Sequence, residues 1–304
     1  MKRVVITGPT GAIGMALIDR LIAQGIRVVA VVRPDSKRSE QIVEGPYVEK
    51  VFCDLSELSK LSHKIDGKAD VFYHLGWDGT FGNGRNNMHG QNLNVKYALD
   101  AVEAAVALGC KRFVGAGSQA EYGRHEGKLS ATVPTFPENG YGMAKLCAGQ
   151  MTRGLCQQKG IEHIWVRILS VYGPYDGEKT MIMSVVSQLL KGESPACTKG
   201  EQMWDYIYSK DAAKAMALLG VYGKSGKIYC IGSGKVAPLK EYIESIRKCV
   251  SPETSVDYGA VPYAPNQVMY LCADIDDLKE DTGFETEYTF EQGIIETVEW
   301  VKKH

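Results

Sequence analysis

Val4-Val5-Ile6-Thr7-Gly8-Pro9-Thr10-Gly11-Ala12-Ile13-Gly14 reads as a buried strand, a glycine turn and the start of a helix. The run Val4 to Ile6 has no polar alternation, as expected of a parallel strand covered on both faces, and the segment that follows keeps apolar residues at Ile13, Leu17, Leu21 and Ile22. Gly8 permits the tight turn, Gly11 lets backbone approach a phosphate with no Cβ in the way, and Gly14 allows close packing of helix on strand. The free N–H groups at the helix start then suit the pyrophosphate of a dinucleotide. Spaced glycines are common in a chain with 33 of them. The strand before and the helix after supply the context such a site requires, and Gly8, Thr10, Gly11, Ala12 and Ile13 become candidate cofactor contacts.

The 304 residues allow one large α/β unit with an appended lobe, and 44% hydrophobic with 23% charged residues is an ordinary globular balance. Thirty-five Lys and Arg against 36 Asp and Glu leave a net charge of −1, which gives no electrostatic case for nucleic acid or an anionic membrane as partner. No apolar run approaches the ~20 residues of a membrane span, and Met1 leads into a strand without a signal-peptide pattern, so a cytoplasmic protein is expected. Eight cysteines at wide, irregular spacings, with no Cys-x-x-Cys pair, read as reduced, mostly buried residues, neither a disulfide framework nor a metal site. Gly79 to Gly90 is the candidate for low order.

Ile26 to Val32 is a second strand and completes a strand-helix-strand unit. An acid near its end would bond adenosine ribose hydroxyls, whereas an Arg accommodates a 2′-phosphate. Here Val32 is followed by Arg33, with Lys37 and Arg38 close behind. NADP(H) is therefore preferred; NAD(H) stays open, because a solvated basic loop would look the same. Strands at about Val48–Phe52, Ala69–Leu75 and Lys111–Ala116, with a helix over Gln91–Leu108, predict a Rossmann-like, doubly wound parallel sheet. The strand ends at Cys53-Asp54-Leu55 and His74-Leu75-Gly76-Trp77 should fall on its ligand-binding edge.

The fifth strand runs into Ser118-Gln119-Ala120-Glu121-Tyr122-Gly123, and Pro137-Glu138-Asn139-Gly140-Tyr141 opens a helix to about Lys159. Tyr141 and Lys145 share a face of that helix. Tyr175/Lys179 and Tyr206/Lys210 have the same spacing but lie in a loop composition and at a strand-to-helix junction. On the helix, an adjacent ammonium is expected to lower the phenol's pKa from about 10. Tyr141 could then protonate a carbonyl oxygen as hydride arrives, with Ser118 bonding the same oxygen. Singly, Tyr141 could be a helix-capping aromatic and Ser118 a turn residue; beside a dinucleotide site the pair points to chemistry.

Downstream, a strand at Ile161–Leu169, a helix at Thr180–Lys191, a strand at Trp204–Tyr208, a helix at Asp211–Leu219 and a strand at Lys227–Ile231 are expected. A helix at Leu239–Val250, a short strand at Tyr270–Cys272 and helices at Ile275–Thr282 and Phe290–Lys302 complete the pattern. The mixed order divides the chain into a dinucleotide-binding region, residues 1–172 with 204–232 returning to it, and a smaller substrate-binding lobe, residues 173–203 and 233–304.

Taken together, Thr7-Gly-x-x-Gly-x-x-Gly14, Asp54-Leu55, the His74-Leu75 strand end, Asn94, Ser118, Tyr141-x-x-x-Lys145, Arg167 to Pro174 and Trp204-Asp205-Tyr206 resemble the extended short-chain dehydrogenases/reductases. That group includes NAD-dependent sugar-nucleotide epimerases and dehydratases, and the resemblance spans nearly the whole chain. It implies that Asp54-Leu55 lies by the adenine, that Lys145 also holds the nicotinamide ribose, and that the region after Pro174 takes a nucleoside-diphosphate sugar. Trp77, Gln119, Ala120, Ser170 and Trp204 are the implied substrate contacts, with Ser118, Tyr141 and Lys145 catalytic.

Departures narrow the reaction. Gln119-Ala120 stands where 4,6-dehydratases carry an Asp-Glu acid-base pair, and Ala120 where 3,5-epimerase-reductases carry a Cys. Chemistry needing only Ser, Tyr, Lys and a nicotinamide remains. Val32-Arg33 favours an NADPH-dependent 4-ketoreductase over an NAD-dependent 4-epimerase, and an NADP-binding sensor without catalysis is a third reading. Trp204 replaces the Arg often found before the Asp205 equivalent, leaving Arg247 as a candidate cation for the diphosphate. A homodimer through the helices Asn92–Leu108 and Ala144–Gln158 is implied by the resemblance, with Leu146, Met151 and Leu155 as candidate contacts.

Overall fold

Uninterrupted apolar runs become the centre of a parallel sheet. The computed structural model describes residues 1–304. Strands β1 (Arg3–Thr7), β2 (Arg27–Val32), β3 (Val48–Phe52), β4 (Val71–His74), β5 (Arg112–Ser118) and β6 (Glu162–Ile168) pair in parallel with Ile228–Ile231 as the seventh. The spatial order is Ile228–Ile231, β6, β5, β4, β1, β2, β3. The order reverses at β1, with β2 on one side and β4 on the other, and a crevice opens there at the carboxyl ends.

Both faces of the sheet are covered. Val4 and Ile6 pack with Leu17 and Leu21 of helix α1 (Ala12–Ala23) and with Ala212, Ala215, Met216 and Leu219, while Val5 points to the opposite layer with Ala101 and Val102. That opposite layer is built by helices α2 (Met88–Ala107) and α3 (Gly140–Lys159), which pack on each other. The second α1-side helix is α5 (Ser209–Tyr222), which follows α4 (Met181–Leu190). No helix is long and apolar enough to cross a membrane.

A separate apolar cluster lies beyond the sheet, where Ile182, Val186 and Leu189 of α4 meet Ile243 and Ile246 of α6 (Leu239–Val250). After α7 (Asp276–Thr282), Ile294 and Val298 of α8 (Phe290–Lys303) complete that cluster. All eight cysteines are free and six of them are buried.

Two segments differ from the sequence expectation. The strand expected over 204–208 is broken at Asp205: Met203–Trp204 pairs with Ala237–Pro238 and Tyr270–Leu271, whereas Tyr206–Tyr208 pairs with Ser170–Tyr172. Neither piece joins the seven-stranded sheet. The cause is the wholly buried Asp205 carboxylate, which accepts from Ser233 N and Oγ at 2.8 and 2.6 Å and from Gly234 N and Ala273 N, both at 3.0 Å. Gly79 to Gly90, the candidate for low order, is instead a built turn with a short 3₁₀ helix at Gly82–Asn86.

Candidate active site

A cleft of about 770 Å³ runs along the carboxyl edge of the sheet and is lined by Gly8, Thr10, Gly11, Ala12 and Ile13 at one end. Gly8 has φ +66°, and a Cβ there would lie 2.6 Å from Gly76 N; at Gly14 it would lie 2.6 Å from both Gly8 O and Pro9 O. Gly11 caps the start of α1, and the one atom within reach of a Cβ on it is Gly8 O at 4.0 Å, so that side stays open toward the cleft. This is a cradle that a pyrophosphate fits and side chains would fill. Asp54 and Leu55 line it from the end of β3, and Arg33, Ser36 and Arg38 from the segment after β2. Asp54 also caps its own 3₁₀ turn, accepting from Ser56 N and Oγ at 2.9 and 2.7 Å, and these bonds hold its carboxyl below the usual range.

Leu75 and Gly76 line the cleft, but His74 lies beneath it, 2% exposed. The structure thus places His74, an expected cofactor contact, behind Thr7 and not on the cleft wall. Gly76 N donates to Thr7 Oγ1 at 3.2 Å, the Thr7 hydroxyl and His74 Nδ1 share a hydrogen bond of 2.9 Å, and His74 Nε2 is buried without a partner. Burial and the Lys145 charge push His74 down to about 3, so the ring is neutral.

Ser118, Tyr141 and Lys145 all line the middle of the cleft. Asn139 caps α3 by accepting from Gly142 N at 2.9 Å, which places Tyr141 in the first turn and Lys145 one turn on. The Lys145 Nζ donates to Ala116 O at 2.6 Å and lies 3.8 Å from the centre of the Trp77 ring and 5.7 Å from that of Tyr141. Burial pushes Lys145 down to about 7, opposed by the Glu121 charge. The Tyr141 phenol is raised, not lowered as the spacing had suggested. Burial outweighs the Ser118 hydrogen bond and the Arg85 charge, which both pull it down, and Glu121 adds to the rise. Tyr175 is the one non-glycine residue with positive φ and Tyr206 sits in a strand, so neither of the other two Tyr/Lys spacings is helical.

A family model for the NAD-dependent epimerase/dehydratase family matches residues 4–232. The chain belongs to this family. Within it, the chain is 25% identical to a CDP-abequose synthase of Salmonella typhimurium strain LT2 over 304 residues, covering 96% of both chains. It is 27% identical over 202 residues to a dTDP-glucose 4,6-dehydratase of Xanthomonas campestris pv. campestris, a match of 62% of this chain and 57% of that relative's length. The fold superposes with a TM-score of 0.88 on a UDP-N-acetylglucosamine 4-epimerase from Methanobrevibacter ruminantium M1, 24% identical and covering 99% of this chain and 98% of that one.

For this member of the epimerase/dehydratase family, the segment after β4 and the start of α2 add Gln91, Arg85 and Asn86, which the sequence reading missed, to Trp77 and Asn94, which it named. Gln91, 2% exposed on α2, accepts from Trp77 Nε1 at 2.8 Å and donates to the carbonyls of Gly79 and Gly84 at 3.0 and 2.9 Å. Asn94 holds Asp78 through its N–H and carbonyl at 3.0 and 2.9 Å. Trp77 is thereby fixed over Lys145 and edge-on to Tyr141, with ring centres 6.2 Å apart. Arg85 lies 4.3 Å above the Tyr141 ring, and Asn86 accepts from Gly140 N at 3.1 Å. In the sequence, the signal for this is the pair of polar residues Gln91 and Asn94, three apart on the buried face of α2.

The expected substrate contacts divide. Trp77 lines the cleft; Gln119, Ala120, Ser170 and Trp204 do not. Trp204 Nε1 donates to Ser170 Oγ at 2.8 Å, so these two satisfy each other, and Ala120 is 5% exposed in the short turn after β5. Arg247 is engaged elsewhere: its Nε bonds Glu244 at 2.9 Å and its Nη1 the Pro252 carbonyl, on the last turn of α6. Phe81, Tyr175, Asp176 and Gly177 close the cleft from the other side. No group of three or more His, Cys, Asp and Glu residues is arranged to hold a metal.

Proposed function

We propose that the protein reduces the 4-keto group of a nucleoside-diphosphate-linked, 6-deoxy hexose with NADPH. The observation that carries the cofactor choice is the end of β2, where Arg33, Ser36 and Arg38 line the cleft and no carboxylate from that segment does. Two guanidinium groups and a hydroxyl match a 2′-phosphate; an NAD site asks for an acid there. The glycine cradle would hold the pyrophosphate and Lys145 the nicotinamide ribose. When bound, the reduced nicotinamide supplies a hydride.

The chain's own part is to orient the ketone and move a proton. Tyr141, kept protonated by burial, gives its phenolic proton to the carbonyl oxygen, and Ser118 donates a hydrogen bond to that oxygen as charge develops on it. The phenolate left behind faces the cations of Lys145 and Arg85. Trp77 excludes water from this group and offers its face to the sugar. Support for the sugar-nucleotide class comes from the CDP-abequose synthase, which matches end to end. We also propose that the exposed Leu93, Met143 and Met151 of α2 and α3 form a homodimer face.

Paired titrations of NADPH and NADH on the purified chain test the cofactor reading. NADPH is expected to bind at least tenfold tighter, about 1.4 kcal/mol, and the double variant Arg33→Ala/Arg38→Ala to erase that preference. Equal or tighter NADH binding, or NAD found resident in the purified protein, favours a 4-epimerase. That second reading draws on the fold shared with the Methanobrevibacter ruminantium 4-epimerase. A sensor without catalysis gives no reason for Ser118, Tyr141 and Lys145 to meet in one cleft.

A further inference from the structure

Glu121 has no exposed surface, and its carboxylate holds the strand end that carries Ser118. Oε1 accepts Ser118 N–H at 2.9 Å and Trp165 Nε1–H at 3.0 Å, and Oε2 accepts Arg167 Nε–H at 2.8 Å. The Arg167 side chain is 3% exposed, lies over the Tyr122 ring and leaves Nη1 without a partner. An ion pair so deep is often no more stabilising than an apolar pair of the same shape, so stability alone does not account for it. Gly117 has no Cβ, and the space is taken by Glu121 Oε1 and Trp165 Nε1. One residue earlier, the Ala116 carbonyl is held by Lys145. Ala116-Gly117-Ser118 is thus gripped by Lys145 at one end and by Glu121 at the other. Glu121 does not line the cleft and so does not touch a substrate.

We propose that Glu121 is a positioning residue: its carboxylate, buried against Arg167, fixes the strand end that presents Ser118 and places a negative charge behind the Ala116-Gly117-Ser118 segment on which the Lys145 amine rests. This rests on the reading of Ser118 and Lys145 as parts of the reducing site. Lys145 is pulled toward neutrality by burial, and Glu121 is the charge that opposes it. The other groups around it are His74, which is neutral, Tyr141 on its own helix, and Asp78 at the cleft wall; Arg85 lies beyond Tyr141 and Arg167 beyond Glu121.

The test is the proton titration of Lys145 itself, read by NMR on the full chain labelled at lysine Cε, with the signal identified by its loss in Lys145→Met. The parent is expected to titrate at about 7, and Glu121→Gln about one pH unit lower, a tenfold loss of proton affinity. The double variant Glu121→Gln/Arg167→Met leaves neither charge buried and serves if the single variant fails to fold; a smaller downward shift is expected there, because loss of the Arg167 cation offsets part of the loss of the carboxylate. An unchanged or raised midpoint in whichever variant folds overturns the proposal. Because no turnover is measured, failure of the reductase reading shows separately, as absence of NADPH oxidation in the parent.

Discussion

Tyr141→Phe is expected to bind NADPH as the parent does and to turn over roughly 10²- to 10⁴-fold more slowly, the usual contribution of a positioned general acid. The substitution removes one oxygen and leaves the ring. That ring keeps its place under Arg85 at 4.3 Å and beside the edge of Trp77, so the first turn of α3 has no cause to move. Lys145 keeps its bond to Ala116 O, which does not involve the phenol, and the cofactor's ribose loses no partner from that side. What disappears is the proton for the carbonyl oxygen. The check is kcat against a 4-keto sugar nucleotide alongside the NADPH dissociation constant. Turnover within a few-fold of the parent would move proton donation to another group.

Gly14→Val is expected to abolish cofactor binding and to destabilise the fold. A Cβ at this position meets Gly8 O and Pro9 O, each at 2.6 Å, and Pro9 C at 2.7 Å. All three are backbone atoms of the turn, which cannot rotate away as a side chain would. Either α1 lifts from β1 or the turn opens, and both displace the N–H groups that face the pyrophosphate. Overpacking of this kind costs about 1–3 kcal/mol in stability. Loss of the anion cradle should weaken NADPH by about 100-fold or more, ~2.7 kcal/mol. Urea unfolding and cofactor fluorescence separate the two effects. Wild-type affinity in a destabilised variant would show that the cradle tolerates the shift.

How much was legible in advance depends on whether the cause was local. The sheet was readable because Val4 to Ile6 and Val28 to Val32 are apolar without alternation, and the family set of motifs follows strand ends. Tyr141 and Lys145 were readable because four residues on a helix fix a shared face. The order of Gly79 to Gly90 was not, since it is imposed from outside by Gln91 and Asn94 on α2. Spacing alone also misjudged the Tyr141 phenol: a neighbouring ammonium is visible in sequence, but the burial that outweighs it is not. Asp205 broke an expected strand through bonds to Ser233 and Ala273, 28 and 68 residues away. Arg167, a lone charge within Ile164-Trp165-Val166-Arg167-Ile168, was the visible half of the buried pair; its partner Glu121 lies 46 residues earlier.

The central claim is net hydride transfer to a 4-keto sugar nucleotide. The most direct measurement follows absorbance of NADPH while a stoichiometric amount of nucleotide-linked 4-keto-6-deoxyhexose is added to the purified chain. The reductase account predicts one NADPH consumed for each ketone, with a 4-hydroxy sugar formed and Tyr141→Phe silent on the same time scale. Interconversion of C4 epimers of a UDP-hexose on resident NAD, with no net change in cofactor, would contradict it.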